Sequence, residues 1–399
     1  MKRQFVLVGG SRAAGAFLQA ATVILLGRFS SLDAFGFIGV IMSIGAFALT
    51  VADFGVSTLI VKEYSQREFV QVDELAALNL LTTLATALVG LVAILCISLQ
   101  SGIEYIWFTL LVLGLALEKN TDTLLGTTIA ADRPWDSVTS ILVRRLCLVA
   151  VTTIAAISGF DVVAAYCAGY FLSSVVSQLH IRWVCAHRLA IAPHISPRAA
   201  LPALHRCVPY ALSNITAQSR LLDVTIIGTI SGVSAAGLYS AGQRLTNPMM
   251  LVPQTVTSLV LPRASKSSRN EALRLSMHLI AWTVAAAAVC APMIWLGSSI
   301  TSLLFGEDFA PAGPIFGLLL VSVPVVGLSS TLGSILQGQG QASSVAMNGI
   351  IFAVVCIGLI AFGALFFGGA AAALAVLATY AVKCLVLEFM ILRLQERDF

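Results

Sequence analysis

Apolar stretches follow one another along the whole chain, separated by short polar breaks. A transmembrane helix needs roughly 20 predominantly apolar residues to cross a hydrocarbon core of about 30 Å. The pattern predicts twelve such helices, at 5–27, 35–60, 76–99, 103–130, 138–158, 162–186, 204–230, 235–261, 273–296, 309–336, 344–367 and 370–392. Strands of a membrane barrel would instead alternate apolar and polar residues, whereas a run such as 352–366 is continuously apolar. The chain is therefore predicted to be an all-α integral membrane protein.

Composition agrees with this prediction. Hydrophobic residues make up 58% of the 399 positions, charged residues make up 11%, and the mean hydropathy is +0.94. Soluble domains carry about 25% charged residues, so a soluble enzyme or a nucleic-acid-binding protein is not expected. The eight cysteines lie in or beside the apolar spans without metal-ligand spacing and are interpreted as packing residues. No metal or cofactor is predicted.

The distribution of basic residues predicts the orientation. With the N-terminus placed in the cytoplasm, fifteen of the 23 lysines and arginines fall on cytoplasmic segments and span edges. The opposite side holds Arg28, and the other seven lie inside spans. An excess of Lys and Arg marks cytoplasmic loops, and a miscounted helix would destroy this 15-to-1 ratio. Both termini are therefore predicted to be cytoplasmic.

The two halves of the chain resemble each other. At a shift of 201 residues without gaps, matching positions include Gly27 with Gly228, Ser30 with Ser231, Gly36 with Gly237, Val51 with Val252, Ser57 with Ser258 and Lys62 with Arg263. Leu125-Gly126 matches Leu332-Gly333 at a shift of 207. Six spans in each half, both starting inside, predict parallel repeats, here an N-terminal lobe at 1–198 and a C-terminal lobe at 199–399. Such paired bundles bind substrate between the repeats and alternate access by rocking, which favours a transporter.

Charged residues inside the spans are the candidate site, because an ionisable group at membrane depth is costly unless it is paired or faces water. Arg12 and Arg244 have no acid three or four residues away and are predicted to line a substrate pathway. Arginine suits such a pathway because its guanidinium binds phosphate in a bidentate manner. The other candidate cations are Arg144, Arg145 and Arg220. Seven cations against five anions give the spans a net positive charge.

The remaining charged residues have both structural and functional interpretations. Arg220 with Asp223, and Lys119 with Asp122, have the three-residue spacing of local ion pairs, and Glu118 lies four residues before Asp122. Arg144 and Arg145 either line the pathway or extend to the cytoplasmic surface. Asp53 either pairs structurally or carries a coupling ion. The candidates for ion coupling or structural pairing are Asp53, Glu118, Asp122 and Asp223.

Four stretches carry a family resemblance. Val51–Ser65 (VADFGVSTLIVKEYS) resembles the end of the second helix of Wzx-type polysaccharide flippases. Ser219–Gly228 (SRLLDVTIIG) resembles their seventh helix, and Gly237–Leu245 (GLYSAGQRL), continuing to Leu261-Pro-Arg, resembles their eighth. Phe305–Ala312 (FGEDFAPA) resembles the start of their tenth. The matches run in the right order across nearly the whole chain. The wider group is the multidrug/oligosaccharidyl-lipid/polysaccharide (MOP) exporter superfamily.

This resemblance implies two six-helix lobes around a cationic central cavity. It implies movement of undecaprenyl-pyrophosphate-linked sugar repeat units between leaflets of the bacterial inner membrane, for O-antigen, capsule or exopolysaccharide. The implied partners are membrane lipid, the lipid-linked oligosaccharide, H⁺ or Na⁺ and a polysaccharide polymerase complex. Related lipid II flippases use arginines of the first and eighth helices, which here contain Arg12 and Arg244. This chain lacks the two additional helices of those flippases, which disfavours a role in peptidoglycan synthesis.

Two alternatives remain open. A drug or cation antiporter of the same superfamily would bind cations and favour an acidic lumen, whereas the spans here carry excess positive charge. A membrane glycan polymerase or glycosyltransferase would need a long outer loop or an accessible acidic site. Neither feature is visible in the sequence, so a non-enzymatic flippase is the leading hypothesis.

Overall fold

The computed structural model describes residues 2–101, 106–194, 197–264 and 269–396, and the regular structure in these ranges is helical. The α-helices are α1 (Lys2–Phe29), α2 (Leu32–Asp53), α3 (Val56–Ser65), α4 (Phe69–Ser101), α5 (Phe108–Ala130), α6 (Pro134–Ser158), α7 (Val162–Val184), α8 (Pro197–Ala217), α9 (Asp223–Ser231), α10 (Val233–Thr246), α11 (Leu251–Ala264), α12 (Arg269–Cys290), α13 (Met293–Phe305), α14 (Ala312–Gly338), α15 (Ala342–Phe367) and α16 (Gly369–Glu396).

Helix is found in each of the twelve predicted spans, so the twelve-helix prediction is confirmed. The beginning of the fourth span, 103–105, lies outside the described residues. In the described ranges, eight helices are long and apolar enough to cross a membrane by themselves. The four other spans are α1, α5 and two spans that are interrupted. Helix α5 carries Glu118, Lys119 and Asp122, and the spans at 204–230 and 235–261 are each divided by a 3₁₀ turn.

Four spans contain a break that the sequence analysis did not predict, and one of them is the ninth, which is divided between α12 and α13 at Ala291 and Pro292. The second span is divided between α2 and α3 at Phe54 and Gly55, which both have positive φ, 48° and 86°. Glycine tolerates this conformation at low cost, whereas Phe54 adopts it against its preference. A 3₁₀ turn at Ser219–Leu222 divides the seventh span, and one at Asn247–Met250, containing Pro248, divides the eighth. Helix α14 continues through Pro324 without interruption.

The chain forms two compact units, Met1–Ser30 with Ile41–Leu221 and Ser31–Val40 with Leu222–Phe399. In the first unit α5 packs against α3, α4, α6 and α7, while α1 packs on α6. Helix α8 packs on α3 and α4 of this unit, where a Cβ at Gly55 would lie 2.7 Å from Ala211 N. The functional lobes at 1–198 and 199–399 stay a prediction.

The second unit is built around α14. This helix packs against α10, α11, α12, α13, α15 and α16, and it is mostly buried along its length. Glycines allow the close approach, since a Cβ at Gly297, Gly313 or Gly317 would overlap the backbone of the facing helix. In the first unit the corresponding fourth span, α5, also packs against most of its neighbours. The central position of the fourth and tenth spans agrees with the two-repeat architecture.

Residues related by the 201-residue repeat touch each other within the second unit. Gly36 of α2 faces Gly237 of α10. A Cβ at Gly36 would overlap the Val233 carbonyl oxygen, and a Cβ at Gly237 would lie 2.7 Å from the Leu32 carbonyl oxygen. The Ser234 hydroxyl donates to Asp33 Oδ1. Ser234 is the repeat equivalent of Asp33, and the Gly36–Val233 contact is the repeat equivalent of the Gly237–Leu32 contact. The crossing therefore has local two-fold symmetry, as in an isologous interface.

The Gly36 crossing gives a first testable prediction. Gly36→Ala should lower the thermal unfolding midpoint of the purified protein, because overpacking a tight contact costs about 1–3 kcal/mol. Gly358→Ala in α15 is the matched control, since nothing lies within 4 Å of its added Cβ. The control should keep or slightly raise the midpoint, because alanine is the better helix former. Equal midpoints for the two variants would contradict the tight crossing.

Candidate functional site

A layer of charged side chains, of which Asp122 is half-exposed and the others are largely buried, connects α5 to α6 in the first unit. Arg145 Nη2 lies 2.7 Å from Glu118 Oε1. Arg144 Nη2 lies 3.2 Å from the same Glu118 oxygen and 2.9 Å from Asp122 Oδ1. The four-residue spacing of the two acids places both carboxylates on one face of α5, toward α6. Tyr170 of α7 donates its hydroxyl proton to Glu118 Oε2. Glu118 is therefore the centre of a network that joins three helices.

Three nitrogen atoms of the two arginines form no hydrogen bond with the neighbouring acids. Arg144 is 4% exposed. Its Nε and Nη1 atoms, and Nη1 of Arg145, are buried with no hydrogen-bond partner among the described residues. A buried donor without a partner is costly, so such groups are normally satisfied by water or by a ligand. This layer can therefore hydrogen-bond additional oxygen atoms without giving up its ion pairs.

Asp53 is held at the break between α2 and α3. Its Oδ2 accepts hydrogen bonds from the Ser57 hydroxyl at 2.7 Å and from Ser57 N at 3.3 Å, so it caps the first turn of α3. Its Oδ1 lies 3.4 Å from both Lys119 Nζ and Thr123 Oγ1. The Asp53 side chain is 1% exposed. Both oxygens thus have partners in the fold, which favours the structural interpretation of this residue.

Sequence spacing suggested that Lys119 pairs with Asp122, and this prediction is wrong. This lysine contacts Asp53 across helices, whereas Asp122 contacts Arg144. Spacing along one helix fixes which residues share a face, but the positions of neighbouring helices decide the partner. Arg144 and Arg145 likewise point at α5 acids instead of extending to the cytoplasmic surface.

The other candidate arginines are in less enclosed positions. Arg12 is exposed on α1. Gly15, one helical turn later, faces α6, where a Cβ would lie 3.7 Å from Arg145 Cγ. Since three residues of helix rise about 4.5 Å, Arg12 lies at nearly the same depth as Arg145. Arg220 is half-buried in the first unit. Its predicted pairing with Asp223 stays a prediction.

In the second unit, Arg244 is half-buried on α10, and its Nε donates to Ser240 Oγ at 3.0 Å. Asp223 is fully buried at the start of α9 and accepts a hydrogen bond from Tyr239 at 3.2 Å. Sequence reasoning missed the tyrosines that bind Asp223 and Glu118, because an aromatic residue in an apolar helix carries no signal of its own. Among the described residues no three His, Cys, Asp or Glu side chains are grouped to hold a metal ion.

Comparison with known proteins adds a family match to this geometry. Residues 25–314 match the model of the family described as polysaccharide biosynthesis protein. A 156-residue segment is 31% identical to the succinoglycan biosynthesis transport protein ExoT of Rhizobium meliloti (strain 1021). That segment is 38% of this chain and 31% of ExoT, so the match spans about a third of the curated relative.

Two solved structures share the fold. An inward-facing multidrug resistance MATE family transporter of the MOP superfamily superposes with a TM-score of 0.70 at 17% identity, over 96% of each chain. The lipid II flippase MurJ, in an inward closed conformation, also gives a TM-score of 0.70, at 16% identity over 97% of this chain and 87% of MurJ. The all-helical MOP fold predicted from the sequence is thereby confirmed.

Proposed function

Since this chain belongs to the polysaccharide biosynthesis protein family, we propose that it is a flippase for a polyprenyl-pyrophosphate-linked oligosaccharide. It would carry the repeat unit across the bacterial inner membrane for a surface polysaccharide, such as O-antigen, capsule or exopolysaccharide. The observation that carries the proposal is the pair Arg144 and Arg145, three of whose buried nitrogen atoms have no hydrogen-bond partner among the described residues.

Phosphate chemistry connects these arginines to the substrate. A pyrophosphate presents several anionic oxygens, and planar guanidinium groups bind such oxygens through paired, charge-assisted hydrogen bonds. Arg12 lies at nearly the depth of Arg145, so the first repeat offers several cations at one level. We assign Arg12, Arg144, Arg145, Arg220 and Arg244 to pyrophosphate binding. The polyprenyl tail would stay in lipid.

The acids have two roles in this proposal. Asp53 and Asp223 hold their helices in place, because each carboxylate has hydrogen-bond donors from its own unit. Glu118 and Asp122 keep Arg144 and Arg145 charged and oriented, and they are the candidates for linking transport to an H⁺ or Na⁺ gradient. Parallel repeats would alternate access by rocking. Polymerisation on the outer side, with a polymerase complex as partner, would consume the product and favour net outward movement.

A reconstitution experiment tests this function. Purified protein in proteoliposomes should move a fluorescent polyprenyl-pyrophosphate-linked oligosaccharide between leaflets faster than protein-free vesicles do. A neutral polyprenol-linked analogue, which offers no anionic oxygens, should not move faster. The assay follows loss of fluorescence to a membrane-impermeant quencher, with and without imposed H⁺ or Na⁺ gradients.

Parallel measurements distinguish the alternatives. Drug resistance of expressing cells, together with no leaflet exchange of the pyrophosphate-linked probe, would establish a cation antiporter instead. Polymer formed by the purified protein without other enzymes would overturn the flippase proposal in favour of a polymerase. Equal movement of the charged and neutral probes would refute pyrophosphate recognition.

A further inference from the structure

A cavity of about 370 Å³ lies within the first unit, and Glu118, Asp122, Arg144 and Arg145 are not among its lining residues. Helix α4 contributes Ala76 and Leu80 to its wall, α5 contributes Asn120 and Leu124, and α7 contributes Arg182. The loop after α7 completes the wall. Arg182 lies in the last turn of α7, so with the predicted cytoplasmic N-terminus the cavity faces the cytoplasmic side of the membrane.

The loop that completes the cavity is held in a defined conformation. Helix α7 ends in a π-helical turn, Cys185–Leu189, and Ala190 follows with a φ of 53°. Asp73 then fixes the chain, because its Oδ1 accepts from Ala192 N at 2.8 Å and its carbonyl accepts from His194 N at 3.3 Å. The cavity wall is therefore built by specific contacts and is not a chance opening between loosely packed segments.

Arg182 provides the cavity with an available positive charge. No carboxylate of the described residues lies within ion-pair distance of it. With the Gln178 amide turned so that its oxygen faces the arginine, that oxygen accepts from Arg182 Nε at 2.8 Å. The guanidinium is thus oriented through Nε, which leaves its two terminal nitrogens for an anion. The neighbouring cation Arg188 is, by contrast, paired with Asp136 at 2.6 Å.

Apolar stripes lead from the cavity toward the middle of the membrane. On α4, Leu84 and Leu88 continue the face of Leu80 at four-residue spacing and are 53% and 63% exposed. On α7, Leu179 and Leu172 continue the face of Arg182 and are 64% and 50% exposed. Both helices run away from the cytoplasmic end in these directions. A ligand with an anionic head at Arg182 could therefore lay an acyl chain along the stripes.

We propose that this cavity binds one phospholipid of the inner leaflet through its anionic headgroup, with Arg182 contacting the phosphate and an acyl chain lying between α4 and α7. Basic pockets between transmembrane helices on the cytoplasmic side suit such headgroups. The site is separate from the proposed pyrophosphate arginines, so it would bind a resident lipid and not the transported one. The lipid would join α4, α5 and α7 at the loop that precedes α8.

Lipid binding to the purified, delipidated full chain tests the proposal. Native mass spectrometry should show one tightly bound phosphatidylglycerol and much weaker phosphatidylcholine. Arg182→Gln should weaken phosphatidylglycerol binding about tenfold, the size expected for one charge-assisted hydrogen bond. Leu80→Trp should weaken it by filling the cavity while leaving the charge in place. The control is Arg393→Gln, an exposed arginine stacked on Phe389 at the predicted cytoplasmic end of α16, which should bind like the wild type.

Three outcomes would overturn the proposal. Wild-type phosphatidylglycerol affinity in Arg182→Gln would remove the assigned contact. Equal losses in Arg182→Gln and Arg393→Gln would indicate general surface electrostatics. Displacement of the lipid by millimolar inorganic phosphate would identify a free-anion site with no acyl-chain contribution. Because Arg182→Gln changes an exposed side chain, it is expected to fold even if Leu80→Trp does not.

Discussion

Glu118→Leu should be strongly destabilising in the first unit. Glu118 accepts from Arg145 at 2.7 Å, from Arg144 at 3.2 Å and from Tyr170. Removing the carboxylate leaves Arg145, whose side chain is only 12% exposed, without an ion-pair partner among the described residues. Breaking a buried ion pair by deleting one partner costs about 3–5 kcal/mol. We expect a large fall in the thermal unfolding midpoint of the purified protein, and low yield in the membrane.

A double substitution makes the Glu118 prediction specific. Replacing a whole buried ion pair with apolar residues of similar volume is often neutral or stabilising. Glu118→Met with Arg145→Met should therefore recover most of the lost stability, since Arg144 keeps Asp122 at 2.9 Å. The exposed Glu68→Leu is the matched control and should change the midpoint little. Additive losses in the double variant would show that Glu118 and Arg145 are not coupled.

Arg244→Glu should strongly reduce surface polysaccharide export while leaving the protein in the membrane. In the proposed function this arginine binds pyrophosphate, so the reversed charge would repel the substrate. Loss of one charge-assisted hydrogen bond costs about 1.5–3 kcal/mol, which corresponds to roughly a 10- to 100-fold lower rate. Because Arg244 is only half-buried, whereas the Glu118 side chain is 12% exposed and at the centre of an ion-pair network, folding should tolerate the change better than Glu118→Leu does.

Export and membrane abundance are measured together for a graded series. Arg244→Lys keeps the charge but loses the bidentate geometry, so it should export less than wild type and more than Arg244→Gln. Arg393→Glu, at an exposed arginine distant in sequence from the proposed site, should export normally. Normal export by Arg244→Glu at wild-type abundance would remove Arg244 from the pathway. A parallel loss of abundance and export would indicate a folding defect instead.

The sequence by itself determined the class of protein and most of the fold. Each of the twelve apolar runs is long enough to cross the membrane, and a helix satisfies the backbone hydrogen bonds of such a run within the segment itself. Helix is found in all twelve runs, although α13 lies mostly between the ninth and the tenth. The 201-residue repeat was visible as weak matches such as Gly36 with Gly237. The structure explains why both positions of this match are glycine: the two residues face each other, and a Cβ on either would collide with the facing backbone.

Tertiary structure alone decided the ion pairs and the breaks. Sequence spacing suggested Lys119 with Asp122, but helix packing brings Lys119 to Asp53 and Asp122 to Arg144. The break at Phe54 depends on a positive φ that periodicity does not encode. The unpartnered donors of Arg144 and Arg145 can be counted only once their acceptors are known. The sequence shows which charged residues lie in a membrane span. The distances between helices determine which of them form ion pairs and which can contact a substrate.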